Sequence, residues 1–210
     1  MPDLDAIPEE TARRAKFIYI NYPNNPTGAV ATKAFYEKLV AWAKTYEVGV
    51  VSDLAYGALG YQGYENPSFL STPGAKDVGI EFYTFSKTFN MAGWRLAFAA
   101  GNDQMIEALN LIQDHLFVGI FPALQEAGIA ALLDPKSEEA VAQLNATYDS
   151  RRDAFVQAAA KIGWQAFPSR GSFYAWMPVP EGYTSESFAD LLLEKAHVAV
   201  APGKGFWSCG

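Results

Sequence analysis

Thr84-Phe85-Ser86-Lys87-Thr88-Phe89-Asn90-Met91-Ala92-Gly93-Trp94-Arg95 closes a strand-like run, and its reading organises the rest of the chain. It sets one lysine eight residues before one arginine, with hydroxyls on both sides of the lysine and a glycine before the tryptophan. A lysine amine forms a Schiff base with an aldehyde. A guanidinium grips a phosphate bidentately, and small hydroxyls donate to its oxygens. The segment therefore suits an aldehyde cofactor that also carries a phosphate. Alone it is equally an ordinary strand followed by a basic loop, and two upstream motifs separate the readings.

The first is Asn21-Tyr22-Pro23-Asn24-Asn25-Pro26-Thr27-Gly28, which follows the short apolar run Phe17 to Ile20. That run reads as a buried strand. Two prolines, Pro23 after Asn21-Tyr22 and Pro26 after Asn24-Asn25, force an extended, turn-rich path, and Gly28 releases it. A loop this rigid can hold one amide side chain still. It is also compatible with a plain strand-to-helix connection, because Thr32 can cap a helix after it. The second motif, Ser52-Asp53-Leu54-Ala55-Tyr56, closes the strand Val48-Gly49-Val50-Val51. Ligands of open α/β sheets bind outside the carboxyl ends of strands, which is where Asp53 falls. A carboxylate there can pair with a protonated ring nitrogen, or it can act as a helix N-cap.

Asn-Pro-Thr-Gly, Asp-x-x-Tyr and Ser-Lys followed by Arg95, in this order, resemble the class I/II aminotransferases of fold type I, which use pyridoxal 5′-phosphate (PLP). The resemblance runs nearly end to end, to Pro202-Gly203-Lys204-Gly205-Phe206. Within the family, Asn21 to Ala31 and Gly79 to Asn102 look most like the branch of LL-diaminopimelate and related aspartate or alanine aminotransferases. The resemblance implies that Lys87 forms the Schiff base and then shuttles the proton between the substrate Cα and the cofactor. It implies that Asp53 pairs with the pyridinium nitrogen and that Asn25 and Tyr56 hydrogen-bond the ring's 3′ oxygen. Thr84, Ser86 and Arg95 would bind the phosphate. It also implies amino acid and 2-oxo acid substrates and a homodimer.

Composition sets the outer limits. Half of the 210 residues are hydrophobic, which gives ample material for a core. No run approaches the length of a membrane span. Met1-Pro2-Asp3-Leu4-Asp5 lacks the basic and apolar regions of a signal peptide. A net charge of −7 without any Lys/Arg cluster argues against nucleic-acid binding. The one cysteine, Cys209, cannot form an internal disulfide, which fits a reducing cytoplasm. His115 and His197 stand alone and read as surface or helix residues.

The fold class expected is α/β. Residues 1–134 read as part of a large PLP-binding domain, a mostly parallel sheet flanked by helices. Strands are expected near 17–20, 48–52, 80–85 and 96–100, and helices near 32–46 and 103–116. In the latter, Met105, Ile106, Leu109, Ile112 and Leu116 form one apolar stripe, read as core. Asp134-Pro135-Lys136 marks a boundary. Residues 135–210 then give a long connecting helix, capped by Ser137 and ended by Gly163, and part of a small α+β domain. In that domain 173–177 reads as a strand and 185–195 as a helix. Arg151 and Arg152 read as solvated helix charges.

Members of the resembled family are about twice as long. The resemblance therefore implies that a phosphate-binding loop, a ring-stacking aromatic residue and the arginine for the substrate carboxylate lie outside this sequence. Two functions follow: an aminotransferase or its catalytic segment, or a truncated chain that binds PLP without turnover. A β-lyase or decarboxylase on the same scaffold would use Lys87, Asp53 and Arg95 equally well, and a PLP-binding regulatory domain is a further variant.

Overall fold

A computed structural model describes residues 1–206 of the chain. Four strands make one sheet: β1 (Phe17–Asn21), β2 (Gly49–Asp53), β3 (Gly79–Thr84) and β4 (Ala97–Gly101), adjacent in that order. The first three run parallel and β4 runs antiparallel to β3. The helices, in chain order, are α1 (Glu9–Arg14), α2 (Lys33–Tyr46), α3 (Ala75–Val78), α4 (Phe85–Thr88), α5 (Asp103–Leu116), α6 (Pro122–Leu133), α7 (Ser137–Lys161) and α8 (Ser185–Ala196). The four expected strands and the helices expected at 32–46 and 103–116 hold to within a residue at each end.

Thr32 does cap α2, its Oγ1 accepting from Phe35 N at 3.2 Å. The helix lays Phe35, Tyr36, Leu39, Val40 and Ala43 on one face of the sheet, against Ile20, Val50 and Phe69. Alternation along β1 decides what the other face carries. Ile18 and Ile20 point into this core. Phe17 and Tyr19 point away and are 50% and 75% exposed. On that side Phe17, Val51, Ile80 and Phe82 meet Met105 and Leu109 of α5 across an open cavity of about 790 Å³.

The α5 stripe is consequently not core. No residue of α5 is buried, and Leu116 is 69% exposed. Periodicity identifies an amphipathic face without saying what lies opposite it. Helix α6 was not anticipated from the pattern, because Pro122–Leu133 is mostly apolar and its polar residues, Gln125 and Glu126, mark out no stripe. Pro122 occupies its first turn, where a missing N–H costs nothing.

Helix α7 forms as expected, but Ser137 does not cap it. Its hydroxyl instead donates to Ala131 O at 2.6 Å, tying α7 to α6, and Lys136 occupies the N-cap position. At the other end Gly163 (φ +73°) sits just past the cap. Trp164 N bonds Ala159 O and Gly163 N bonds Ala160 O, the Schellman pattern. The strand expected at 173–177 is absent. The run forms no ladder with a neighbouring strand, and the contact that docks its approach is a single antiparallel bridge between Gly60 and Gly171. α8 spans the expected 185–195 with a capping box between Thr184 and Ser187. Cys209 lies outside the described residues.

Candidate functional site

The carboxyl ends of the parallel strands place Asn21, Asp53 and Phe82 in one register row. Asn21 pins the row together. Its Nδ2 donates to Asp53 O at 3.1 Å, and its Oδ1 accepts from Asn25 N at 2.8 Å. Asn24 Oδ1 accepts from Thr27 Oγ1 at 2.6 Å and from Thr27 N. The loop after β1 is thus held by its own amides, leaving Asn25 exposed at the rim. Gly28 is needed where the loop meets the C-terminal segment. Its φ is +68°, and a Cβ there would stand 2.6 Å from Ser169 Oγ.

Asp53 is exposed and its Oδ1 accepts from Ala55 N at 3.0 Å. This is an Asx turn and not a helix cap, since turns follow it. It occupies one carboxylate oxygen and leaves the other uncommitted. Three residues on, Tyr56 is buried, with its hydroxyl 3.1 Å from the Tyr174 hydroxyl. Burial, first, then the Tyr174 hydrogen bond and the charges of Tyr174 and Asp53 raise its pKa well above the ordinary phenol value. The Asn25 side chain opposes the rise.

Lys87 rides on the single turn α4. Thr84 caps that turn, its Oγ1 accepting from Ser86 N at 3.2 Å and lying 3.0 Å from Ser86 Oγ. Phe85 and Thr88 are buried, and Tyr83 Oη lies 2.6 Å from Thr88 Oγ1. With that side anchored, Lys87 projects its Nζ between two rings, 5.7 Å from the centre of Tyr56 and 5.2 Å from that of Phe173. Arg95 adopts the left-handed conformation (φ +54°) and donates from Nη1 to Ala92 O at 3.1 Å. None of the ion pairs among the described residues involves Lys87, Asp53 or Arg95. The structure therefore brings together Lys87, Tyr56, Asn25 and the Thr84–Ser86 hydroxyl pair. Arg95 stays exposed and turned toward Ala92.

An uncompensated amine between aromatic faces, a carboxylate with a free oxygen, a phenol, paired hydroxyls and an unpaired guanidinium make a donor set suited to a phosphorylated pyridine aldehyde. No group of three His, Cys, Asp or Glu among the described residues is placed to hold a metal ion. No helix among them is long and apolar enough to cross a membrane.

The family model for aminotransferase class I and II matches residues 1–208. The chain belongs to this family. Over its whole length it is 57% identical to the L-glutamine--4-(methylsulfanyl)-2-oxobutanoate aminotransferase of Bacillus subtilis (strain 168), covering 52% of that protein. It is 50% identical to the LL-diaminopimelate aminotransferase of Moorella thermoacetica, covering 53% of it. In three dimensions it matches the apo-BacF structure from Bacillus subtilis with a TM-score of 0.95 and 46% identity, over 100% of this chain and 53% of that one. The chain thus spans about half the length of the aminotransferases it matches, and its α/β fold is theirs over that half.

Sequence reasoning missed the residues that reach this cluster from far away. Phe173 and Tyr174 come from a run read as a strand. Tyr148 of α7 stacks on Phe173 with ring centres 5.4 Å apart. Arg152, read as solvated, has a side chain only 11% exposed. It pairs with Asp149 and Asp153 at 2.6 Å, donates to Ser169 O and lies 5.0 Å from the Tyr61 ring. The dense aromatic run after Gly171 was the one available signal, since it hints at packing without naming a partner.

Proposed function

We propose that this chain forms the floor of an aminotransferase active site, holding pyridoxal 5′-phosphate while an amino group passes between an amino acid and a 2-oxo acid. The observation that carries this reading is the Lys87 amine, free of any ion pair and held between the rings of Tyr56 and Phe173. When bound, the cofactor supplies an electron-withdrawing ring that lets the α C–H bond of an amino acid ionise.

The remaining work belongs to the chain. Lys87 Nζ would hold the aldehyde and, once a substrate amine has displaced it, would take up the proton removed from the substrate α carbon. The uncommitted oxygen of Asp53 keeps a proton on the ring nitrogen. Tyr56 and Asn25 donate to the ring oxygen. Thr84 and Ser86 donate to phosphate oxygens, and Arg95 exchanges its bond to Ala92 for the phosphate, where an always-charged fork is strongest. The names of the two relatives direct the first donors to try: glutamine with 4-(methylsulfanyl)-2-oxobutanoate, then LL-diaminopimelate.

We place the division between a large and a small domain at Asp134-Pro135, the assembly as a homodimer and the location as the cytoplasm. The exposed apolar surface of α5 and α6 supports the second of these.

Borohydride reduction of the PLP-treated protein, followed by peptide mass spectrometry, tests the site. A single label on the Lys87 peptide, absent in Lys87→Ala, is expected; no label, or a label on another lysine, would defeat the assignment. Transamination assays on the PLP-treated protein before reduction then separate turnover from binding alone.

A further inference from the structure

We propose that Tyr174 is a positioning residue for Tyr56: its hydroxyl sets the direction in which Tyr56 offers its proton, and so tunes how firmly Lys87 Nζ holds a proton with the cofactor bound. The inference rests on the pyridoxal phosphate reading of Lys87 and deepens it.

The two hydroxyls are 3.1 Å apart, from residues 118 positions apart in the chain. Their rings meet edge to face at 5.7 Å, and Phe173 wedges beside both, 5.3 Å from Tyr56 and 5.0 Å from Tyr174. The Tyr174 hydroxyl has no other hydrogen-bond partner among the described residues, so Tyr56 is its one engagement. The groups that face Tyr56 come from four elements. Asp53 approaches from the end of β2, the Asn25 amide from the loop after β1, Tyr174 from the C-terminal segment and Lys87 Nζ from α4 over the ring.

Each phenol carries one hydrogen and can both donate and accept. If Tyr56 gives its hydrogen to Tyr174, none is left for a cofactor oxygen. If Tyr174 donates instead, the Tyr56 hydrogen is released toward the site, and the bond Tyr56 receives makes it a stronger donor. The change needs only rotation of two O–H bonds. An anionic ring oxygen presented to Tyr56 selects the second arrangement. Tyr56 then draws negative charge from that oxygen and weakens its hold on the proton at Lys87 Nζ. Removing the Tyr174 hydroxyl should therefore raise the proton affinity of that nitrogen.

The test is a pH titration of the visible absorbance band in the PLP-loaded protein, as wild type, Tyr174→Phe, Tyr56→Phe and the double variant. Loss of one hydrogen bond should raise the Tyr174→Phe midpoint by about half to one pH unit. Tyr56→Phe should raise it further, and the double variant should titrate like Tyr56→Phe alone, because Tyr174 acts only through Tyr56. An unmoved midpoint in Tyr174→Phe, or additive shifts in the double variant, overturns the proposal. Should Tyr174→Phe lose its native circular dichroism, a fluorinated tyrosine at 174 serves instead. Its more acidic hydroxyl donates more strongly and should lower the midpoint, and no movement overturns the proposal equally. Absence of a borohydride label on Lys87 in the wild type defeats the cofactor reading itself, whereas a labelled protein with unmoved midpoints defeats only the role of Tyr174.

Discussion

Asp53→Asn keeps the turn that this residue makes and removes the charge that it carries. The amide oxygen still accepts from Ala55 N, so the backbone stays in place. What is lost is the carboxylate that would hold a proton on the ring nitrogen. We expect α-hydrogen exchange from a donor amino acid in heavy water to fall on the order of 10²-fold or more, with cofactor retention nearly unchanged. Equal losses of exchange and retention would make Asp53 a structural residue. Of the seven candidate residues, those near one another in sequence were legible because local chemistry marks them. Thr84, Ser86 and Lys87 sit on one turn, and Asp53 and Tyr56 on another. Tyr174 was illegible, because nothing in its own neighbourhood encodes that it will meet Tyr56.

At the scale of elements, the buried carboxylate of Glu81 does the joining. It sits on β3 and accepts from Ser52 Oγ at 2.9 Å, Phe69 N at 2.8 Å and Ser68 Oγ at 2.5 Å. One side chain thereby fastens the segment before α3 to two strands just below the site. Glu81→Ala strands three donors in the interior and should cost about 3 kcal/mol. Calorimetry should show the melting temperature falling by roughly 6–12 °C, and an unchanged melting point would mean that water replaces the carboxylate. Elements whose periodicity matched their burial were readable, as α2 shows. The α5 stripe misled because periodicity names an apolar face and not what covers it, and no residue of α5 is buried. The run at 173–177 has strand composition and no edge to join.

The whole molecule leaves a broad apolar surface uncovered along α5, α6 and the turn between them. Phe117, Val118 and Phe121 stand 70%, 88% and 68% exposed there. Surfaces of this kind mark contact sites or association hazards. Sedimentation of the 210-residue chain should show concentration-dependent association, and Leu116→Gln with Phe121→Ser should shift it toward monomer; a monomer at every concentration would contradict this. Across the molecule, α7 is fastened to the sheet region by Asn145 Nδ2 donating to Ala58 O at 2.7 Å and by Arg152 against Tyr61.

The bond between Tyr56 and Tyr174 has a consequence in time as well as in space. A ribosome adding about 5–20 residues per second releases the second tyrosine on the order of ten seconds after the first. Lys87 follows Tyr56 by 31 residues and precedes Phe173 by 86, so its amine is made about 4–17 seconds before the ring that flanks it. The Tyr56–Tyr174 contact, and with it the ring of Phe173 beside the Lys87 amine, can therefore form only after most of the chain has been made.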